Sequence, residues 1–203
     1  MYHKPMFSAR SNYQHTHNPL EILRQRFMQE HVSVVDLSHS DPTRIGLIYP
    51  EITLPLPTHP PVIPYVADAF GLSSARMAVA AELKRQGASV DKDQIVLTAS
   101  TSEAYAFLFK LLCDPGDEIL VPRPSYPLFD YLAQAESISL TPYRLHWDGQ
   151  WHLDISDIRR HITSKTRAIV VVNPNNPTGS YLKHNDLQAL LELNMTLISD
   201  EVF

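Results

Sequence analysis

Apolar and polar residues alternate along the second half of the chain in a pattern that predicts strands and helices in turn. Apolar runs predict strands at IVLT (95–98), EILVP (118–122), SISLTPY (137–143), AIVVV (168–172) and TLIS (196–199). Between them, helical spacing and helix-start signals predict helices at 100–112, 126–136, 154–161 and 182–193. Continuous apolar strands alternating with helices are typical of a parallel sheet covered on both faces. The predicted fold is therefore α/β, with three layers (α/β/α) and a mostly parallel sheet.

The pattern before residue 95 is less regular. Helical spacing at 20–30 and 72–86 predicts two helices, and VSVVDLS (32–38) predicts a short strand. Six prolines fall within residues 50–64, which excludes a helix there and predicts an extended connector. We therefore expect an N-terminal arm with part of a small domain (1–49), a proline-rich connector (50–64) and a large domain (65–203).

Composition narrows the classes of function. The 203 residues are 44% hydrophobic, which suffices for a sizeable core, and the net charge of −5 argues against a nucleic-acid partner. No apolar run is long enough to predict a membrane span. Cys113 is the single cysteine and the N-terminus lacks an apolar signal region, so a cytoplasmic protein is expected. No metal site is predicted, and the absence of a Gly-rich phosphate loop disfavours a Rossmann-type nucleotide binder.

Parallel sheets bind ligands at the carboxyl ends of their strands, so the residues after each strand matter most. Ser100, Thr101 and Ser102 follow IVLT at a helix start. Their hydroxyls, together with the free N–H groups of that helix, could hold a phosphate. Ser100 with Glu103 also fits a capping box, so a capped helix without a ligand explains these residues equally well.

Three further strand ends carry candidate chemistry. Tyr126 lies between two prolines after EILVP and could stack on a planar ligand, although packing into the core explains it more simply. In NPNNPTG after AIVVV, Asn175 or Asn176 could point an amide into the crevice, or the asparagines could bond only within their loop. Asp200 after TLIS could pair with a cationic ring nitrogen, or form a cap or a salt bridge. Together these groups suit a planar, phosphorylated, nitrogen-containing ring such as pyridoxal 5′-phosphate (PLP).

The motifs LTASTSEAY, VPRPSYPLFDYL, VVNPNNPTG and SDEVF, in this order and spacing, resemble the class I and II aminotransferases, which are fold-type I PLP enzymes. SHSDPTRIGL (38–47) and FGLSSARMAVAAEL (70–83) extend the resemblance over roughly residues 35–203. The resemblance implies a phosphate site at Ser100, Thr101 and Ser102, ring stacking by Tyr126, contact with the ring O3′ by Asn176, and pairing of Asp200 with the pyridine nitrogen. Tyr65 matches a tyrosine that reaches the neighbouring subunit's phosphate, but the usual following proline is missing.

The sequence departs from the family in two respects. Phe203 stands where many relatives have a tyrosine that also bonds O3′. The Schiff-base lysine and the substrate-binding arginine of the family lie beyond residue 203, and none of Lys110, Lys165 and Lys183 lies at a matching position. No catalytic residue is therefore assigned. The resemblance implies a seven-stranded sheet in the order 3-2-4-5-6-7-1, of which this sequence supplies strands 1 to 5, so we expect a truncated large domain with open edges.

The resemblance implies the transfer of an amino group between an amino acid and a 2-oxo acid, by an enzyme that is a homodimer in full-length relatives. Other PLP activities of this fold, such as C–S lyase or decarboxylase chemistry, are alternatives. A non-catalytic or inactive fragment is a further alternative, because the lysine is absent. Most substrate-side residues that would separate these activities are also absent.

Overall fold

A computed structural model describes residues 7–11, 18–35, 46–47 and 67–201. The chain forms two compact units, one of residues 14–69 and the other of residues 1–13 with 70–203. In the former, helix α1 (Pro19–Gln29) begins after Asn18, whose side chain accepts a hydrogen bond from the Leu20 N–H at 2.9 Å. Proline in the first turn suits this start because its missing N–H would have no helical partner. The helix predicted at 20–30 is confirmed.

Several predictions concern segments that are partly or wholly outside the described residues. Residues 32–35 form no strand, and 36–38, the rest of the predicted strand, are not described. The run has no strand beside it in the described part of the chain, so no hydrogen-bonded ladder stabilises it. The proline-rich connector at 50–64, Tyr65 and Phe203 also lie outside the described residues.

The larger unit is built on a sheet of five strands: β1 (Glu118–Arg123), β2 (Ser139–Trp147), β3 (Trp151–Leu153), β4 (Thr166–Val172) and β5 (Thr196–Asp200). Their spatial order is β3-β2-β1-β4-β5. β1 pairs in parallel with β2 and β4, and β4 pairs in parallel with β5, whereas β2 and β3 are antiparallel. The four strands predicted at 118–122, 137–143, 168–172 and 196–199 and the mostly parallel sheet are thus confirmed. The resemblance counts these strands as 2, 3, 4 and 5, and it implies the order 3-2-4-5, which is the observed order β2-β1-β4-β5.

Helices cover both faces of this sheet. They are α3 (Thr101–Leu112) and α4 (Phe129–Ala135) on one face and α5 (Ile155–His161) and α6 (His184–Leu191) on the other. Helix α2 (Ser73–Arg85) instead contacts a 3₁₀ turn at Lys92–Gln94, and a second 3₁₀ turn lies at Ala9–Ser11. Ile119 and Val121 of β1 belong to the core under α3 and α4, and Leu120 belongs to the core under α5 and α6. Successive strand residues point to opposite faces, so a continuous apolar strand serves both cores. The three-layer α/β/α fold is confirmed.

The prediction of a strand at IVLT is wrong, because Ile95–Thr98 joins no sheet among the described residues. Ile95 has the extended backbone that its sequence favours (φ −110°, ψ 127°), but Val96 remains 51% exposed. The Leu97 N–H donates to the Phe70 carbonyl at 2.9 Å. At Gly71 (φ +91°) an added Cβ would lie 2.7 Å from the Leu97 Cβ, so only glycine permits this close approach. Strand propensity makes the segment extended, and the absence of a neighbouring strand leaves it unpaired.

The hairpin of β2 and β3 was not predicted. β2 continues four residues past the predicted end and turns through Asp148 and Gly149 (φ +104°). Trp147 and Trp151 then face each other across the hairpin, with ring centroids 5.3 Å apart. An Asp-Gly pair between apolar runs is a strong hairpin signal and could have predicted this turn.

The predicted helices are confirmed with shifted ends. Helix α4 begins at Phe129 rather than Tyr126, because Pro127 disfavours the helical conformation of the residue before it. Helix α6 is two residues shorter at each end than predicted. None of the described helices is long and apolar enough to cross a membrane.

Candidate functional site

The amino end of α3 carries the predicted phosphate site. Ser100 caps this helix: its Oγ accepts a hydrogen bond from the Glu103 N–H at 3.2 Å, and the Glu103 carboxylate accepts one from the Ala99 N–H at 2.6 Å. This reciprocal pattern is a capping box whose acid reaches one residue further back than usual. Ser100 and Thr101 are exposed, and Ser102 is half-buried. The capping interpretation is confirmed, and phosphate binding stays a prediction.

The carboxylate of Asp200 lies at the last residue of β5. Its Oδ2 accepts a hydrogen bond from the Tyr105 hydroxyl at 2.8 Å. Its Oδ1 is buried and has no hydrogen-bond partner in the described part of the chain. A buried carboxylate oxygen without a donor is unfavourable, because it has lost water and gained nothing in return. A cationic N–H donor, such as a protonated pyridine nitrogen, would satisfy this atom, so the residues present fit PLP.

Thr101 and Asp200 line the same cleft, which has a volume of about 170 Å³. Its remaining walls are Ala104, Tyr105, Leu108, Ile198, Ser199 and Glu201. Thr101, Tyr105 and Leu108 follow one another at spacings of four and three residues, so one face of α3 forms one wall. The carboxyl end of β5 forms the other. The structure therefore brings the predicted phosphate end and the predicted carboxylate together.

Tyr105 is a site residue that the sequence did not predict. Its side chain is 4% exposed, and its ring lies 5.7 Å from that of Phe109 and 5.0 Å from that of Phe129, measured between centroids. Burial, and then the hydrogen bond to Asp200, raises the pKa of Tyr105 well above its usual range. The hydroxyl therefore remains a donor throughout the physiological range. No local signal identifies this residue, because its partner is 95 positions away.

Tyr126 is half-buried and packs edge-to-face on Phe129, with ring centroids 5.6 Å apart at 86°. It belongs to the core between the sheet and helices α3 and α4. Phe129 thus supports both Tyr105 and Tyr126. The core-packing interpretation of Tyr126 is confirmed, and its stacking on a ligand ring stays a prediction.

The asparagines of NPNNPTG have different surroundings. Asn175 is buried, and its Nδ2 donates to the Thr178 Oγ1 at 2.8 Å and to the Pro124 carbonyl at 3.3 Å. It therefore ties the end of β4 to the loop after β1. Asn175 also lines a cavity of about 30 Å³, which has room for one water molecule. Asn176 is exposed, and its contact with O3′ stays a prediction.

No lysine lines the cleft among the described residues. The Nζ of Lys110 lies 2.5 Å from the Glu136 carboxylate, and that of Lys183 lies 3.2 Å from the His152 Nδ1. Lys165 precedes β4, at the opposite end of the sheet from the cleft. The described residues also contain no group of three or more acidic, histidine or cysteine side chains placed to hold a metal ion.

Comparison with known proteins defines the family. Residues 66–203 match the family model for aminotransferase class I and II, and the chain therefore belongs to this family. Its members are PLP-dependent enzymes that act on amino acids and 2-oxo acids.

Two curated relatives show how similar the chain is to known aminotransferases. The chain is 31% identical over 185 residues to the glutamate-pyruvate aminotransferase AlaA of Escherichia coli K12, and 30% identical over 187 residues to mouse tyrosine aminotransferase. These matches cover 88% and 84% of this chain but 46% and 39% of the relatives. The chain thus spans less than half the length of these two proteins.

Solved structures of aminotransferases also resemble this chain over part of their length. An aminotransferase from Escherichia coli superposes with a TM-score of 0.77 at 29% identity, covering 98% of this chain and 52% of that one. An alanine aminotransferase from Pyrococcus furiosus superposes with a TM-score of 0.64 at 40% identity, covering 68% of this chain and 37% of that one.

Proposed function

We propose that this chain is the cofactor-binding part of a PLP-dependent aminotransferase, which moves an amino group between an amino acid and a 2-oxo acid. The unpartnered Oδ1 of Asp200 carries the proposal, because this atom lies in a residue that lines the same cleft as the start of α3. A cation at one end of a ligand and an anion at the other match a carboxylate and a helix amino end. When bound, PLP supplies an electron-withdrawing ring that acidifies the Cα–H of an amino acid.

Each residue of the proposed site has a distinct task. The N–H groups and hydroxyls of Ser100, Thr101 and Ser102 hold the phosphate at the amino end of α3. Asp200 keeps the ring nitrogen protonated, because a nearby negative charge favours the cationic form. Tyr126 stacks on the ring, and the amide of Asn176 binds its O3′. All of these residues belong to the large domain that we place at 65–203.

The names of the relatives support amino-group transfer over C–S cleavage or decarboxylation, since each names an aminotransferase. They also support an amino acid and a 2-oxo acid as the substrate classes. We further propose a cytoplasmic location and a homodimer, as the resemblance to full-length aminotransferases implies.

A second candidate function is the binding of PLP without catalysis. The absence of a lysine from the described cleft favours it, because a lysine amine is the group that joins PLP covalently and moves the proton at Cα. In this case the chain would hold the cofactor by non-covalent contacts alone.

Titration of the 203-residue chain with PLP, followed by protein fluorescence, tests the proposal. We expect saturable binding that weakens at least about tenfold in Asp200→Asn, because a hydrogen bond between charged groups is lost. Asp130→Asn is the matched control, since Asp130 is exposed and pairs with Arg123 outside the cleft. Absence of binding, or equal affinities of wild type and Asp200→Asn, would refute the proposed site.

Borohydride reduction of the PLP-loaded chain separates the two candidate functions. A cofactor fixed to one lysine, located by peptide mass spectrometry, would support a catalytic chain. Saturable binding with no covalent adduct after reduction would support the non-catalytic one.

A further inference from the structure

We propose that Tyr105 is the positioning residue of this site: its hydroxyl holds Oδ2 of Asp200 and thereby reserves Oδ1 for the ring nitrogen of the cofactor. This inference rests on the proposed function, and it assigns a task to a residue that the sequence motifs do not mark. Asp200 would touch the cofactor, and Tyr105 would act through Asp200.

The position of the Tyr105 hydroxyl is set by the core rather than by a loop. Its ring is 4% exposed and lies edge-on to Phe129, with an interplanar angle of 83° and 5.0 Å between centroids. Phe109, which is fully buried one turn further along α3, lies 5.7 Å away. Rings packed in this way cannot turn without opening a cavity, so the O–H points at one place. That place is Oδ2 of Asp200, at 2.8 Å.

The chemistry of the pair allows only one direction of donation. An ionised carboxylate accepts hydrogen bonds and donates none, so the shared proton belongs to the tyrosine. The buried phenol does not ionise at physiological pH, so donation persists across the working range of an enzyme. Tyr105 therefore occupies Oδ2 permanently and leaves Oδ1 as the acceptor that a cationic donor can use.

The same helix face that carries Tyr105 also carries the proposed phosphate end. Thr101 and Tyr105 are four residues apart on α3 and line one cleft with Asp200. Their spacing along the helix axis is about 6 Å, the rise of four residues. One rigid element therefore orients both ends of the ligand, which is the arrangement that preorganised binding sites require.

The test compares PLP with 1-deaza-PLP, in which carbon replaces the ring nitrogen. The full 203-residue chain is titrated with each compound, and the ratio of the two dissociation constants measures the contribution of the ring nitrogen. We expect wild type to prefer PLP, and Tyr105→Phe to shrink this preference about tenfold, mainly by weakening PLP. The affinity for 1-deaza-PLP should change little, because that compound does not use Asp200.

Tyr143→Phe is the matched control. Tyr143 is as buried as Tyr105, and its hydroxyl donates to the Val170 carbonyl at 2.8 Å in the core on the opposite face of the sheet. Its removal should lower the melting temperature to a similar extent and leave the preference for PLP unchanged. A loss of preference in both variants would therefore indicate general destabilisation and would overturn the assignment to Tyr105.

The remaining outcomes separate this inference from the proposed function. If wild type prefers PLP and Tyr105→Phe keeps the full preference, Tyr105 does not position Asp200, whereas the proposed function stands. If wild type binds neither compound, or binds both equally, the proposed function fails and this inference fails with it. Should Tyr105→Phe not fold, Tyr105→Met, which fills similar space without a hydroxyl, gives the same comparison.

Discussion

Within the described residues, the buried carboxylate of Asp117 at the amino ends of the strands accepts three hydrogen bonds, whereas the half-buried carboxylate of Asp200 at the carboxyl ends accepts one. The Nε and a terminal nitrogen of Arg167 donate to Asp117 at 2.7 Å and 3.1 Å, and the Asp114 N–H donates at 2.9 Å. Nearby, the Thr166 Oγ1 accepts from the Thr163 N–H at 2.9 Å. At the amino ends, the Asp117 carboxylate and the Thr166 hydroxyl thus have hydrogen-bond partners within the described residues.

The buried side-chain atoms that lack a partner among the described residues are the Ser125 Oγ, the Asn175 Oδ1 and the Asp200 Oδ1. They follow or end β1, β4 and β5, so all three lie at the carboxyl ends. Buried polar groups without a partner reduce stability and are rare in native proteins, so each calls for an explanation such as a ligand or a bound water. The two ends therefore differ in how far their buried polar groups are satisfied within the described residues, which is the difference expected if the carboxyl ends bind the proposed ligand.

The largest effect is expected from Phe129→Ala, which removes the ring that supports Tyr105 and Tyr126 at the carboxyl ends. Phe129 is 1% exposed, and its truncation should lower the free energy of unfolding by about 3–5 kcal/mol in a urea titration. Phe107→Ala is the control, since that ring is 50% exposed, and should change stability by less than about 1 kcal/mol. Equal losses in the two variants would show that the carboxyl ends have no packed support.

The second prediction contrasts the two aspartates. The hydrogen bonds from Arg167, followed by that from the Asp114 N–H, hold the pKa of Asp117 below its usual range. Because the folded pKa is depressed, the stabilisation is complete above the unfolded pKa of about 3.9 and is lost as the pH falls through the folded value. Asp117→Asn should therefore be less stable than wild type at pH 7, with the difference shrinking below about pH 4. Thermal melts across this range measure it.

Asp200→Asn is the same substitution at the other end of the sheet. It should leave stability at pH 7 nearly unchanged, because the Asp200 carboxylate accepts a single hydrogen bond among the described residues. A loss as large as that of Asp117→Asn would remove the distinction between the two ends.

Part of this arrangement could be predicted from the sequence. The apolar runs of β1, β4 and β5 mark buried strands, and the residues after them mark the ligand side of the sheet. Ser100 with Glu103 predicts the start of α3, because a capping box depends on residues only three apart. Asp200 is a candidate for the same local reason, since a carboxylate directly after an apolar strand needs a partner.

The rest depends on contacts between distant parts of the chain. From the sequence alone, Tyr105 is indistinguishable from an ordinary core aromatic residue, because its contact with Asp200 exists only in the folded chain. Ile95–Thr98 has strand propensity, but a strand also needs a neighbour, and propensity carries no information on that point. Asn175 and Asn176 are adjacent and chemically identical, and only the course of the loop buries one and exposes the other.

The third prediction concerns the Thr166 hydroxyl at the amino ends, which is compared below with the Ser125 hydroxyl at the carboxyl ends. Thr166→Val at the amino ends removes the acceptor of the Thr163 N–H and should lower the free energy of unfolding by about 1–2 kcal/mol. Urea unfolding at pH 7 measures this loss, and a loss below about 0.5 kcal/mol would contradict the structural role of the Thr166 hydroxyl.

The smallest effect is expected from Ser125→Ala at the carboxyl ends. The Ser125 hydroxyl has no partner in the described part of the chain, so its removal should change stability by no more than about 0.5 kcal/mol, or raise it slightly. The same urea titration measures it. A clear loss would show that this hydroxyl is satisfied in solution, and the contrast between the two ends would then weaken.

The placement of Thr101 and Tyr105 on one helix also limits how this segment can change in evolution. A single inserted or deleted residue between them would rotate Tyr105 by about 100° and move it off the wall that faces Asp200. Point substitutions on the outer face, where Phe107 and Leu111 are exposed, leave that geometry intact. Helix α3 should therefore accept many changes of residue type and no change of length between its first turn and Tyr105.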